Sequence, residues 1–108
     1  MAETGKPVLT HVTYRPKKGK EEELFGLVKK HWGVLNRLGL STKDPAKVYY
    51  ATDKESGDVY FIEIFSWRDG HASTIAHQTP EVMAVWETMG PILDKLELAR
   101  LEPVSATT

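Results

Sequence analysis

The stretch Asp58–Leu93, DVYFIEIFSWRDGHASTIAHQTPEVMAVWETMGPIL, decides the fold. Val59, Phe61, Glu63, Phe65 and Trp67 fall on one side of an extended chain, and Tyr60, Ile62, Ile64 and Ser66 on the other. A strand apolar on both faces is covered on both, so this one is expected inside its sheet. Asp69 is placed to cap a short helix over Gly70–His77. Thr79-Pro80-Glu81 then restarts a helix, with Thr79 as its cap and Pro80 at its first position. Val82, Val85, Trp86, Met89, Ile92 and Leu93 recur at helical period up to the break at Gly90-Pro91.

Upstream, Val8–Arg15 alternates and is rich in β-branched and aromatic residues, which predicts a strand ended by Pro16. From Lys20 to Leu38 the period becomes helical: Leu24, Leu27, Val28, His31, Leu35 and Leu38 form a stripe widened by Phe25 and Trp32. Glu21, Glu22 and Glu23 suit the start of that helix, and Gly39 its end. The spacing of Gly26 and Gly33 predicts one face where a backbone packs closely. Lys47–Thr52 is a second strand, with Val48 and Tyr50 on one side and Tyr49 on the other. Asp53–Asp58 is short enough for a hairpin. Downstream, Leu96 and Leu98 share a phase that Ala99 and Leu101 break, so Lys95–Val104 is expected as an edge strand with a slip or bulge. The order strand, helix, strand, strand, helix, strand is that of the ferredoxin-like α+β fold with an antiparallel sheet. One domain over residues 7–104 is expected, with tails at 1–6 and 105–108. Helices on one face leave the other sheet face bare and apolar, which predicts pairing of two sheets in a homodimer.

With 108 residues the chain fits a single domain, and 15 acidic against 14 basic residues give a net charge of -1. That balance argues against nucleic acid and anionic membranes as partners. The absence of cysteine excludes disulfides, thiolate catalysis and cysteine-ligated metals. No apolar run reaches the roughly 20 residues of a membrane helix, and the start MAETGKPVLTHV does not read as a secretory signal. A cytoplasmic protein is expected. His71 and His77 lie about 240° apart on a helix, no HxH or HExxH pair occurs, and no glycine-rich phosphate loop is present. Neither a metal nor a cofactor is expected.

Glu63-Ile64-Phe65-Ser66-Trp67-Arg68-Asp69, followed by Ile75-Ala76-His77-Gln78-Thr79-Pro80, resembles the antibiotic biosynthesis monooxygenase-like family of dimeric α+β barrels. The turn Pro16-Lys17-Lys18-Gly19-Lys20-Glu21-Glu22 into the first helix is similar too, and the resemblance spans Leu9 to Leu101. It implies a homodimer whose sheets face each other as a barrel, with one pocket per subunit between sheet and helices. The family includes cofactor-independent monooxygenases of quinols and anthrones, haem-degrading enzymes and isomerases. The haem-degrading branch resembles this chain at Trp67. It carries its iron-binding histidine where this chain has Val85 or Trp86, so haem degradation is not expected.

His77, the residue matched to the family motif, reads either as a base or acceptor toward an aromatic ligand or as a cap of the helix break. His31 sits on the apolar stripe, as a core histidine with one hydrogen bond or as a group facing the pocket. Glu63 between Phe61 and Phe65 is either a buried proton acceptor or a carboxylate paired with Arg15 or Arg100 at the contact between sheets. Trp67, Trp86, Tyr14, Tyr49 and Phe65 are the candidate walls for a flat apolar ligand. The expected function is the binding of a planar apolar metabolite, with cofactor-independent oxygenation of a phenol or quinol as the chemistry. The alternative is a ligand-binding or interaction module without catalysis.

Overall fold

A computed structural model describes residues 5–104; residues 1–4 of the expected N-terminal tail and the whole of the expected C-terminal tail lie outside them. Strand β1 (Val8–Pro16) is followed by helix α1 (Glu21–Arg37), strands β2 (Lys47–Thr52) and β3 (Val59–Trp67), helices α2 (Ala72–Ala76) and α3 (Pro80–Met89), a 3-10 turn (Gly90–Ile92) and strand β4 (Leu93–Arg100). The sheet is antiparallel in the order β2-β3-β1-β4, so the doubly apolar β3 is an inner strand, as its composition requires. This is the ferredoxin-like α+β fold.

Helix α1 buries Leu24, Val28, His31 and Leu35, one residue per turn of its stripe, against the sheet. Gly39 closes it at φ +75°, a left-handed value that lets the Leu40 N–H reach back to the Leu35 carbonyl. Gly26 and Gly33 do not mark a close approach. Both are exposed, and a Cβ built on either meets nothing within 4 Å, so their shared face is the wet one.

Alternation sorts the sheet into two faces. Val12, Tyr14, Phe61, Glu63 and Phe65 are buried beneath the helices. On the far face Arg15 donates to Glu97 at 3.0 Å and lies 4.5 Å over the Tyr60 ring. β4 pairs in regular register with Thr10–Arg15 along Lys95–Arg100, and its extra residue comes just before that run, at Asp94, left over between Lys95 opposite Arg15 and Leu93 opposite Pro16. The irregularity falls at Arg15/Pro16, where proline has no N–H to give the ladder.

Asp69 caps the α2 turn as its spacing suggests, its Oδ1 accepting from the N–H groups of His71 and Ala72 at 2.9 and 3.1 Å. Those donors, chiefly the His71 N–H, hold its carboxyl below the usual range. The helix itself is shorter than expected, starting at Ala72. Thr79 is the N-cap residue of α3 by position, but its hydroxyl donates to the Ile75 carbonyl at 2.7 Å instead of capping. That bond staples the end of α2 to the start of α3 and leaves the N-terminus of α3 to Pro80, which has no N–H to satisfy. Among the described residues no helix is long and apolar enough to cross a membrane.

Candidate functional site

A cavity of about 520 Å³ opens between the helix-side face of the sheet and the α2–α3 segment. Its floor comes from β1 and β4. Aromatic walls rise from β3 as Phe65 and Trp67, 5.0 Å apart edge to face, and from α3 as Trp86. Leu96 and Leu98 project from edge strand β4 on the same side and remain 46% and 68% exposed, so the cavity is open above β4.

A chain of four hydrogen-bonded side chains runs along its inner side. The Tyr14 hydroxyl donates to Glu63 Oε1 at 2.6 Å. His31 Nδ1 lies 3.0 and 3.1 Å from the two Glu63 oxygens, and Trp86 Nε1 lies 2.9 Å from His31 Nε2. Donor chemistry assigns the protons. An indole N–H can only donate, so His31 Nε2 accepts, and the imidazole hydrogen therefore sits on Nδ1, directed at Glu63. Glu63 is a carboxylate accepting from two neutral donors. It has no exposed surface and His31 is 3% exposed, so each hydrogen bond replaces hydration that burial removes. Burial, and then the charge and hydrogen bond of Glu63, push the Tyr14 phenol well above its ordinary value. Tyr14 thus stays a neutral donor at physiological pH.

His77 stands at the mouth, exposed, as the C-terminal cap residue of α2. Its Nδ1 lies 2.8 Å from the Ser73 carbonyl. A carbonyl only accepts, so Nδ1 carries a hydrogen, and in the neutral ring the lone pair is on Nε2. The ring packs 4.7 Å from the Trp86 ring. Trp86 therefore stands between the two histidines of the cavity, its ring tilted at 58° to that of His77 and its N–H on His31.

Six of the seven candidate residues, His77, Trp67, Trp86, His31, Tyr14 and Phe65, line this cavity together. Tyr49 does not. Its partner across the ladder is Ile62, which places it on the far face of the sheet, 49% exposed. Glu63 pairs neither with Arg15 nor with Arg100 at a contact between sheets: Arg15 is engaged by Glu97 on the other face, and Glu63 turns inward to His31. The contributions of Met89, Leu96 and Leu98 were not singled out from sequence, although the shared phase of Leu96 and Leu98 signalled a common face. Among the described residues no group of three or more histidine, aspartate or glutamate side chains is placed to hold a metal ion.

Fold and cavity together define a ferredoxin-like α+β domain of the architecture found in antibiotic biosynthesis monooxygenase-like proteins and other dimeric α+β barrels. The chain matches no protein-family model and no curated protein. Among solved structures it is similar to an antibiotic biosynthesis monooxygenase, at TM-score 0.69 and 12% identity over 91% of this chain and 99% of that one. It is similar to a NIPSNAP family protein from Agrobacterium tumefaciens, at TM-score 0.67 and 13% identity over 94% and 89%. A dimeric protein of ferredoxin-like fold from Bacteroides fragilis aligns at TM-score 0.69 and 9% identity over 92% and 98%. At such identities the likeness is one of fold.

Proposed function

We propose that this protein binds a planar, mainly apolar metabolite bearing a weakly acidic hydroxyl, and oxygenates it without an added cofactor. The observation that carries the reading is an aromatic-walled cavity with His77 at its mouth, its tautomer fixed so that Nε2 can accept a proton. Trp67, Phe65 and Trp86 supply flat apolar surface, and His77 takes the hydroxyl proton. The resulting phenolate reduces oxygen directly. A ring carbon adds O2 as a peroxide, and that carbon then loses its hydrogen as the O–O bond breaks. The products are a quinone carbonyl and water, with one oxygen atom in each and all electrons supplied by the substrate.

A thermal-shift screen of hydroxylated bicyclic and tricyclic aromatics, followed by oxygen uptake on the compounds that bind, tests this. Ligands binding the folded state raise the melting temperature, and His77→Ala should weaken that response. Binding without oxygen uptake would leave a ligand-binding module without catalysis. No response to any such compound would sink the reading.

The protein is further proposed to act as a homodimer. Leu9, Ile62 and Ile64 lie on the sheet face that no helix covers, beside the half-exposed Tyr49. A second copy of that face would bury them. Sedimentation at micromolar concentration should give twice the chain mass; a clean monomer counts against it.

A further inference from the structure

His31 holds a lone pair that the bound-ligand picture leaves unused. Glu63 fixes the imidazole hydrogen on Nδ1, and the only group occupying Nε2 among the described residues is the Trp86 indole N–H at 2.9 Å. A carboxylate behind an imidazole fixes its tautomer and stabilises the imidazolium formed when the far nitrogen takes a proton. Here Tyr14 holds the carboxylate from the other side at 2.6 Å. The four-residue cluster as it stands carries one negative charge in a buried place. A proton arriving at Nε2 would turn it into a neutral, hydrogen-bonded ion pair, the form in which buried charge is tolerated.

We propose that Glu63 and His31 form a second, inner proton acceptor of the cavity, held closed by Trp86. A weakly acidic O–H at the inner end of the ligand displaces the indole from His31 Nε2 and leaves its proton there, the electron pair staying on the ligand oxygen. The displaced indole is not stranded. Trp86 is only partly buried, so its N–H turns to water or to the ligand oxygen that has just become anionic. The inference rests on the cavity taking a planar hydroxylated ligand. It adds that such a ligand carries a weakly acidic donor at its inner end as well as at the His77 end.

The probes are 2-naphthol and 2-methoxynaphthalene, one shape with and without the donor. They are titrated into the His77→Ala protein, which lacks the outer acceptor. Naphthol should bind about tenfold more tightly than its ether, the size of one net hydrogen bond. The Trp86 indole cross-peak in a 1H–15N spectrum should move with both probes, because Trp86 walls the cavity, but the loss of its hydrogen bond to His31 should add a further shift with naphthol. Adding Trp86→Phe removes the competing donor and should raise the preference. Adding Glu63→Gln should bring it to about one, because the amide can donate to Nδ1 and so turn Nε2 into a donor. Lost packing would weaken both probes together and leave the ratio unchanged. If Glu63→Gln does not fold, Trp86→Phe alone decides, since it leaves the carboxylate untouched. Equal binding of the two probes, or a ratio indifferent to Trp86→Phe, overturns the inner acceptor and leaves the ligand reading standing. If neither probe binds even the unaltered protein, the ligand reading fails and this inference with it.

Discussion

Tyr14→Phe isolates one hydrogen bond of the buried chain. The ring is 3% exposed and stays in place, while the hydroxyl 2.6 Å from Glu63 is lost. Little apolar area changes and the void is one oxygen atom, so the cost is the bond itself. A hydrogen bond to an ionised acceptor contributes about 1.5–3 kcal/mol, and the buried carboxylate loses one of two donors, so about 2 kcal/mol is expected. For a domain of this size that is a fall of roughly 8–16 °C in melting temperature. Denaturant unfolding at fixed protein concentration measures it, because a dimer would link stability to concentration. A double-mutant cycle with Glu63→Gln should show coupling of about 1–2 kcal/mol. Alkali supplies a second readout. The phenol is raised above 10.0 in the folded protein, by burial first and Glu63 second, so the folded state keeps a proton that the unfolded chain releases. The stabilisation is complete below about pH 10 and is lost as pH rises through the folded value. Above pH 10 the unaltered protein should therefore lose stability more steeply than Tyr14→Phe. A loss under about 0.5 kcal/mol, or parallel curves in alkali, would refute the charged acceptor assigned to Glu63.

Gly26→Ala and Gly33→Ala should each stabilise the protein by about 0.5–1 kcal/mol, since both are helical and a methyl meets open space. Gly39→Ala should instead destabilise by about 1–2 kcal/mol, because φ +75° is strained for alanine whatever the room; urea midpoints of the three variants check the sign pattern. His77→Ala should weaken ligand binding with little effect on melting, whereas Trp67→Ala should cost about 3 kcal/mol of stability as well as binding. Equal melting losses with ligand affinity intact in His77→Ala would make His77 a structural cap.

Period and phase made most of the fold legible. The switch from alternation to a helical stripe at Lys20 and the proline at the start of α3 place the elements from β1 to α2 within a residue or two. The last strand, expected over Lys95–Val104, instead runs Leu93–Arg100, so that Leu93 begins β4 and does not end the helical stripe. What they could not supply was the side of the sheet the helices would take. Alternation groups Glu63 with Phe61 and Phe65, yet the same grouping suits a buried site or an interface between sheets. The choice depends on packing of residues far apart in sequence, such as His31 against Glu63. One misreading shares that origin. The seven-residue spacing of Gly26 and Gly33 identified a common face, but not that it was the wet one. The change of apolar phase along β4 predicts a bulge, and the extra residue is there, at Asp94, just before the run in which it is expected. Beyond it Leu96 and Leu98 stay in the phase of the cavity floor, opposite Tyr14 and Val12. Tyr49 was separable from the cavity residues by phase alone, since it alternates with Tyr50 and Val48; its aromatic character outweighed that signal.

The buried chain also explains why this sheet has one register. Glu63 lies opposite Val12, and Tyr14 opposite Phe61, so the Tyr14–Glu63 bond is a diagonal contact two residues along the ladder. Sliding β3 by one residue would send Glu63 to the far face and bring Ile62 or Ile64 beneath His31. Apolar pairing alone would resist that slip weakly, because β3 is apolar on both faces and either phase would fill the core. The polar cluster does not tolerate it: the slip would strand the Tyr14 hydroxyl and the His31 Nδ1–H without an acceptor, at about 1–3 kcal/mol for each buried group. The same bonds fix α1 over β3 through His31 and α3 over α1 through Trp86. Three elements that hydrophobic burial would hold loosely in register are thereby pinned at one carboxylate. That carboxylate is also the one the cavity reaches through His31.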